Sequence, residues 1–348
     1  MIYQNTCMAG AAAVLPPEVV TSEAIETQLS PLYRRLRLPL GRLELMTGIR
    51  ERRQWPRDMM PSRAAAMAGE KVLRLAGFAA HKVDALFNCS VSRDFVEPAT
   101  SSIVHQLLKL PKHTINFDLS NACLGVLSGM VVAAGMIEGG QINSALLVAG
   151  ENARPLMETT INTLNRDQTL TRRQIKPMFA SLTIGSAAAA VLLCHRSLAA
   201  QPHRLLGGSH FCDTSYNHLC QGNADAAMDQ NSQPLMQTEA EELLVQGVEV
   251  ARQNWQACKR ELNWHNQTPD LICTHQVGRI HRQRMYQALG LDASKDFATV
   301  EFLGNCGSAA LPATLALALE QGKVQPGDRI ALLGIGSGIN SQMLGLQW

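Results

Sequence analysis

The chain has 348 residues, a hydrophobic share of 46%, a charged share of 17% and a formal net charge of +2. This length exceeds a typical single domain, so we expect two core-forming units or one duplicated unit in a well-buried globular protein. A net charge so near zero gives no argument for a nucleic-acid partner. No apolar run approaches the ~20 residues needed to span a bilayer.

The nine cysteines are odd in number, and no pair shows a C-x-x-C or another metal-binding spacing. We interpret them as reduced thiols of a cytoplasmic protein that binds no metal. The apolar patch at residues 7–15 has no basic residues before it and is followed by Pro16 and Pro17, which is not typical of a signal peptide.

A basic segment at residues 46–53 reads M-T-G-I-R-E-R-R and contains Arg50, Arg52 and Arg53. Two interpretations are open for it. The arginines form either a solvated surface loop or an edge that binds phosphate groups.

A loop follows the buried strand predicted at residues 84–91. It reads R-D-F-V-E-P-A-T and places Glu97 directly before Pro98, outside any regular element. A surface ion pair is the structural interpretation of Glu97, and a catalytic carboxylate is the functional one.

Residues 114–140 predict a strand, a tight turn that carries a cysteine, and a buried helix. A β-branched and aromatic run at residues 114–119 leads to Cys123, and an apolar helical pattern continues to Glu138 before two glycines. Unpaired N–H groups and the helix macrodipole favour a thiolate at such a position and can lower its pKa below the free value of ~8.5. Cys123 is therefore a candidate nucleophile, although a small buried core cysteine is equally consistent with the pattern.

An internal repeat relates the two halves of the chain. The segment at residues 84–93 matches residues 270–279 after a shift of 186 positions, and the helix at 123–138 matches 305–320 after a shift of 182. Strands and helices that alternate predict parallel sheets covered by helices, with the strand C-terminal ends of both halves on the same side.

The repeat also predicts the domain organisation. We divide the chain into an N-terminal half at residues 1–198 and a C-terminal half at residues 199–348. A polar helical stretch around residues 155–180 is expected to form an inserted cap over a pocket.

Three chemically suitable side chains come together under this arrangement: Cys123, His275 in T-H-Q-V-G-R-I-H, and Asn305 in G-N-C-G-S-A-A-L-P. A thiolate can attack a thioester carbonyl while an imidazole moves protons or donates hydrogen bonds. An asparagine amide adds a neutral donor for a developing oxyanion.

A second oxyanion hole is predicted near the C-terminus. The glycine-rich run L-L-G-I-G-S-G-I-N includes Gly336, Ser337 and Gly338, whose backbone N–H groups would lie near the same end of the sheets. Taken alone, this run would indicate only a turn.

The motifs N-A-C-L-G, H-Q-V-G-R-I-H, G-N-C-G-S-A-A-L-P and G-I-G-S-G together resemble the thiolase superfamily, and most closely its ketoacyl synthase III branch. The resemblance implies an α/β, duplicated thiolase fold with five αβαβα layers, a homodimer, and a triad of Cys123, His275 and Asn305. The segment G-I-R-E-R-R also resembles that branch's coenzyme A entrance.

The segment S-V-S-R-D-F-V-E-P-A-T resembles the head-to-head acyl-CoA condensing enzymes of long-chain olefin biosynthesis, the OleA type. In that family a glutamate of this loop crosses the dimer interface, and Glu97 matches it. Gly278 stands where the fatty-acid initiation enzymes of the branch have the asparagine of H-Q-A-N. The resemblance therefore implies a non-decarboxylative Claisen condensation of two acyl-CoAs with no cofactor.

Three alternatives stay open at the level of sequence. The nearest is a decarboxylating 3-oxoacyl-ACP synthase III that uses malonyl-ACP, which would need no base because loss of CO₂ forms the carbanion. A Cys-His-Asn hydrolase fits the residue types but lacks the C-G-S-C-W signature. The third is a catalytically silent binding protein. Partners implied for the enzyme are downstream olefin-pathway enzymes or an acyl carrier protein.

Overall fold

The computed structural model describes residues 1–222 and 235–348. The strands in this part of the chain are β1 (Thr6–Val14), β2 (Glu18–Thr21), β3 (Glu51–Gln54), β4 (Ala85–Asn88), β5 (Ile115–Asp118), β6 (Ser144–Glu151), β7 (Ala187–His195), β8 (His203–Cys212), β9 (Cys220–Gly222), β10 (Met236–Thr238), β11 (Leu271–Thr274), β12 (Arg329–Gly336) and β13 (Asn340–Gln347). The α-helices are α1 (Ser22–Gln28), α2 (Ser30–Leu36), α3 (Arg42–Thr47), α4 (Pro61–Leu75), α5 (Thr100–Leu107), α6 (Gly125–Glu138), α7 (Arg154–Arg166), α8 (Arg172–Ile175), α9 (Ala240–Leu262), α10 (Arg279–Leu289), α11 (Val300–Leu303) and α12 (Ala310–Glu320).

Nine strands of the described chain form one continuous sheet in the order β11-β12-β13-β8-β1-β7-β6-β4-β5. The two halves of this sheet meet at β1 and β8, which share two paired positions. Strand β4 is parallel to β5 and β6, and β11 is parallel to β12. The expectation of parallel sheets was wrong for β7 and β13, which run antiparallel to their neighbours. In β13 the cause is local, because only a short turn separates it from β12.

The helices cover the sheet halves as five αβαβα layers, which confirms the expected fold class. Helix α4 packs on the outer face of β1, β6 and β7, and α9 and α10 pack on the outer face of β11, β12 and β13. Helices α6 and α12 lie in the middle layer, where one large core cluster includes residues of strands from both halves. Both middle helices are apolar nearly all round, as a helix between two sheets must be.

The duplication is visible in the element order. Strand β11 (Leu271–Thr274) lies 186 positions after β4 (Ala85–Asn88), residue for residue. The counterpart of β5 in the second half is reduced to one isolated bridge between Ile272 and Asp296. The residue 198/199 boundary falls between β7 and β8, and the division there stays a prediction.

Two glycines allow helix α6 to lie close to the sheet. A Cβ atom on Gly125 would lie 2.1 Å from the carbonyl oxygen of Cys89, and one on Gly129 would lie 2.8 Å from the Cys89 sulfur. Real Cβ atoms do not approach other atoms so closely, so only glycine fits at these positions. The close approach determines where the N-terminus of α6, and with it Cys123, lies.

Candidate active site

One cavity of about 1470 Å³ contains Cys123, His275 and Asn305 in its wall. Cys123 lies in a 3-10 turn that leads into α6, His275 follows the last residue of β11, and Asn305 lies in the turn between α11 and α12. Three separate elements therefore bring the predicted side chains to one wall. All three side chains therefore line the same cavity.

The backbone directly before Cys123 has an uncommon conformation. Ala122 has a φ of +44°, in the left-handed region that non-glycine residues rarely adopt. Gly336 approaches from β12, and a Cβ atom on it would lie 3.6 Å from the Cβ of Cys123 and 3.0 Å from Leu124 Cγ. Such local strain is common at functional sites because the surrounding structure must hold it in place.

The electrostatic environment of Cys123 differs from the sequence-based expectation. The pKa of its thiol is raised to about 12, mainly by burial and also by the nearby Cys220 and Glu151, while a backbone hydrogen bond lowers it in part. The expected lowering of the pKa at the helix N-terminus was wrong in direction, because desolvation of the charged sulfur outweighs the N–H groups. Cys123 is a neutral thiol at pH 7.

His275 is also electrically neutral. Burial, followed by the nearby His281, lowers the pKa of its imidazole to about 4. Both ring nitrogens are buried and neither has a hydrogen-bond partner among the described residues, while its backbone N–H donates to Leu333 O at 3.0 Å. A neutral imidazole with a free nitrogen can accept a proton from a thiol during attack, so no preformed thiolate is required.

The side-chain amide of Asn305 is oriented by its own turn. Its Oδ1 accepts a hydrogen bond from the Gly307 N–H at 3.0 Å, and its backbone pairs with Thr183 and Gly185. No described residue bonds to its Nδ2 atom. The amide N–H group therefore remains available as a neutral donor to an oxyanion.

The glycine-rich run lies partly in the cavity wall. Gly336 and Ser337 line the cavity, whereas Gly338 does not. Gly338 has a φ of +136°, and a Cβ atom on it would lie 2.4 Å from Asn340 Nδ2. Gly338 therefore allows the turn between β12 and β13. The backbone that faces the cavity is that of Gly336 and Ser337.

Glu97 is exposed and is absent from the wall of this cavity. The neighbouring residues Val91 to Phe95 do line it. Within one chain, therefore, the structure does not bring Glu97 to Cys123.

Glu151 is a carboxylate of the cavity wall that the sequence reasoning missed. It is the last residue of β6 and is only 5% exposed. The sequence A-L-L-V-A-G-E contained a signal for it. An acidic residue at the end of a buried apolar strand has little access to water.

The three predicted arginines do not line the cavity. The assignment of Arg52 to coenzyme A binding was wrong, because its side chain is fully buried and donates to Ser22 Oγ at 3.1 Å. Burial lowers the pKa of Arg52 to about 10. Arg50 is exposed, and Arg53 is half-buried beside the Ser186 backbone.

Other basic side chains lie in the cavity wall, and the sequence reasoning did not single them out. They are Arg42, Arg57, Arg93, Arg172, Lys176 and Arg282. Apolar side chains line the same wall: Pro155, Leu156, Ile175 and Phe179 from residues 155–180, and Met285 from α10. That residues 155–180 form an inserted cap stays a prediction. The cavity thus combines basic groups with an apolar interior.

Two further searches concern only residues 1–222 and 235–348. No group of three or more His, Cys, Asp or Glu side chains is arranged there to hold a metal ion. None of the helices there is long and apolar enough to cross a membrane.

The fold and the cavity define a class, the thiolase-fold condensing enzymes. Residues 117–213 match the family model of 3-oxoacyl-[acyl-carrier-protein] synthase III, and residues 260–348 match the model of its C-terminal part. Two curated relatives, both described as acyl-CoA:acyl-CoA alkyltransferases, match over the full length of both chains. They are the proteins of Shewanella oneidensis, 38% identical, and Xanthomonas campestris pv. campestris, 37% identical.

Solved structures of Xanthomonas campestris OleA superpose on the whole chain. A cerulenin-bound crystal structure gives a TM-score of 0.94 at 37% identity, and covers 100% of this chain and 98% of its own. A cysteine-to-serine variant with bound lauric acid and lauroyl-CoA also gives 0.94, at 36% identity, with 99% and 100% covered. The chain belongs to the OleA family of 3-oxoacyl-[acyl-carrier-protein] synthase III-like enzymes.

Proposed function

We propose that this protein condenses two acyl-CoAs, without decarboxylation, into a 2-alkyl-3-ketoacyl product. One observation carries the proposal: Cys123, His275 and Asn305 share a largely apolar cavity of about 1470 Å³. Pockets for a single small ligand usually span roughly 300–1,000 Å³. The larger volume fits two acyl chains, and the enzyme needs no cofactor because the thioesters supply the activation.

In the first half-reaction, the Cys123 sulfur attacks the carbonyl carbon of one acyl-CoA. The thiol proton passes to a base, for which the neutral His275 imidazole is suited, and then to the departing coenzyme A sulfur. The Cys123 N–H and a backbone donor from the run Gly336 to Gly338 hold the tetrahedral oxyanion. The products are an acyl thioester on Cys123 and free coenzyme A.

In the second half-reaction, Glu97 of a neighbouring copy removes an α-proton from the second acyl-CoA. His275 and Asn305 stabilise the resulting enolate oxygen by hydrogen bonds. The α-carbon then attacks the acyl carbon on Cys123, a C–C bond forms and the C–S bond to Cys123 breaks. The cysteine sulfur regains a proton, and Glu97 returns to the carboxylate after the proton leaves.

The proposed role of Glu97 requires a homodimer, and one edge of the sheet supports this assembly. Strand β5 ends the nine-stranded sheet, and its Ile115 and Phe117 side chains are 43% and 38% exposed. Phe95 and Val96, next to Glu97, are exposed as well. An apolar edge strand is a template for pairing with a second copy. The loop of Glu97 leads into α5, whose first residue Thr100 donates its N–H to Asp118 at the end of β5.

Coenzyme A carries phosphate groups, and basic side chains at the cavity are suited to bind them. We propose Arg42 and Arg172 for this role, with Arg50 and Arg53 as weaker candidates outside the wall. The unpaired cysteines of the chain support a reducing, cytoplasmic location.

We also propose the two-half organisation at residues 1–198 and 199–348.

The product is a reactive β-keto compound, so we expect a downstream enzyme of the olefin pathway to consume it. The decisive experiment is mass spectrometry of the products formed from one defined acyl-CoA, with and without malonyl-ACP. We expect coenzyme A release and a condensed β-keto product from acyl-CoA alone. A product that forms only with malonyl-ACP would instead identify the decarboxylating alternative.

A further inference from the structure

The buried carboxylate of Glu151 accepts backbone hydrogen bonds from two separate segments of the chain. Its Oε1 accepts from the Val91 N–H at 2.8 Å and from the Ser308 N–H at 3.3 Å. Its Oε2 accepts from the Ser92 N–H at 3.0 Å. Both carboxylate oxygens therefore accept from backbone N–H donors, and such hydrogen bonds favour the ionised form.

Each of these segments leads to a residue of the proposed chemistry. Val91 and Ser92 begin the loop that carries Glu97, and Ser308 lies in the 3-10 turn that follows Asn305. The Ser308 hydroxyl in turn accepts from the Val126 N–H at 3.0 Å, in the first turn of α6. One carboxylate thus connects the Glu97 loop and the Asn305 turn, and through Ser308 it reaches the helix of Cys123.

The backbone of the Asn305 turn lies close to the Glu151 carboxylate. Gly307 has a φ of +54°, and a Cβ atom on it would lie 3.3 Å from Glu151 Oε1. The strand end also pairs with the loop directly, because the Asn152 N–H donates to Ser92 Oγ at 3.1 Å. The contact between the Asn305 turn and Glu151 is therefore close and specific.

The charge of Glu151 works against the nucleophile. It is among the causes that raise the pKa of Cys123, and burial raises the pKa of Glu151 itself while the backbone N–H groups lower it. A negative charge beside a thiol disfavours the thiolate. The benefit of Glu151 must therefore come from the segments that it joins.

We propose that Glu151 is a positioning residue that holds the Glu97 loop and the Asn305 turn in register with Cys123. The consequence for condensation rests on the proposed function. The connection between the segments does not, because it involves neither substrate nor α-proton removal.

The test compares Glu151→Gln with Glu138→Gln in the full-length protein. An amide in place of the carboxylate puts an NH₂ group against a backbone N–H donor, so at least one anchor is lost. Glu138 is a matched control, because its carboxylate accepts from the N–H groups of Gln4, Asn5 and Thr6 at the opposite end of α6 from Cys123. Hydrogen exchange, Cys123 alkylation between pH 7 and 9.5, and the two half-reactions are measured for both variants.

For Glu151→Gln we expect faster amide exchange in peptides covering residues 90–98 and 305–309. Condensation should fall at least about tenfold in kcat, as expected when a charge-assisted anchor is lost. Formation of the acyl-enzyme should stay within about threefold of wild type, and alkylation at a given pH should be faster because a negative charge is gone. Glu138→Gln should change none of these site properties.

Unchanged exchange in both peptides would overturn the proposal, and so would equal losses in acylation and condensation. Glu151→Asp provides a second test that keeps the charge if the glutamine variant does not fold. It is too short to reach both segments, so exchange should rise while the pH dependence of alkylation stays that of wild type. Normal exchange in Glu151→Asp would also refute the role. If Glu97 proved not to be the base, the exchange and alkylation results would still stand.

Discussion

The protonation of Cys123 makes a quantitative prediction about its reactivity towards a neutral alkylating agent such as iodoacetamide. With a pKa of about 12, only about 10⁻⁵ of the thiol is ionised at pH 7, against about 3 × 10⁻² for a free thiol of pKa ~8.5. Because the thiolate is the reacting species, Cys123 should be alkylated about a thousandfold or more slowly than a free thiol at pH 7. The rate should rise about tenfold for each pH unit.

The measurement follows the mass of the peptide that contains Cys123 after timed alkylation between pH 7 and 9.5. A Cys123→Ser variant shows which labelling belongs to other thiols, such as the exposed Cys212. A straight log-linear rise without a plateau is the expected profile. A plateau below pH 9 would refute the reasoning, because it would show that the helix N-terminus overcomes desolvation.

Three further predictions concern the base, the assembly and the packing. A hybrid dimer of one Glu97→Ala subunit and one Cys123→Ala subunit should condense acyl-CoA at roughly half the rate per dimer of wild type, measured as coenzyme A release, because one complete site forms across the interface. Phe117→Lys should shift the protein from dimer to monomer in analytical ultracentrifugation and abolish condensation, because a charge would be buried at the β5 edge. Gly125→Ala should lower the free energy of unfolding by ~1–3 kcal/mol through overpacking, whereas Gly135→Ala in the same helix, with no atom within 4 Å of the new Cβ, should raise it by up to ~1 kcal/mol. Urea denaturation measures both.

Each of these has a contrary outcome. An inactive hybrid dimer, with each homodimer variant folded, would place Glu97 in its own subunit's site, and an active Glu97→Ala homodimer would place it outside catalysis. A Phe117→Lys protein that remains dimeric would move the interface away from β5. Equal effects of the two glycine substitutions would contradict the close approach of α6 to Cys89.

Local sequence patterns were sufficient to predict several secondary-structure elements and the candidate nucleophile. Apolar periodicity located β4, β5, β6 and α6 to within a few residues, because a buried element must be apolar with the period of its own geometry. The repeat of residues 84–93 at 270–279 predicted that His275 follows a strand equivalent to β4. The motif around Cys123 indicated the family, and the comparisons confirmed it.

Tertiary structure decided the properties that depend on distant neighbours. The pKa values of Cys123 and His275 follow from burial, and burial depends on atoms supplied by many elements rather than on the adjacent residues. Arg52 belongs to a basic segment in the sequence, yet it lies entirely inside the protein.

Glu151 shows the same division. Its partners lie 60 and 157 positions away along the chain, so no local pattern could indicate that they meet. The sequence alone determined which side chains could do the chemistry, since identity and periodicity are local properties. The folded structure decided which of them are charged, which are accessible and which are held together, because solvation and contact arise only when remote segments pack.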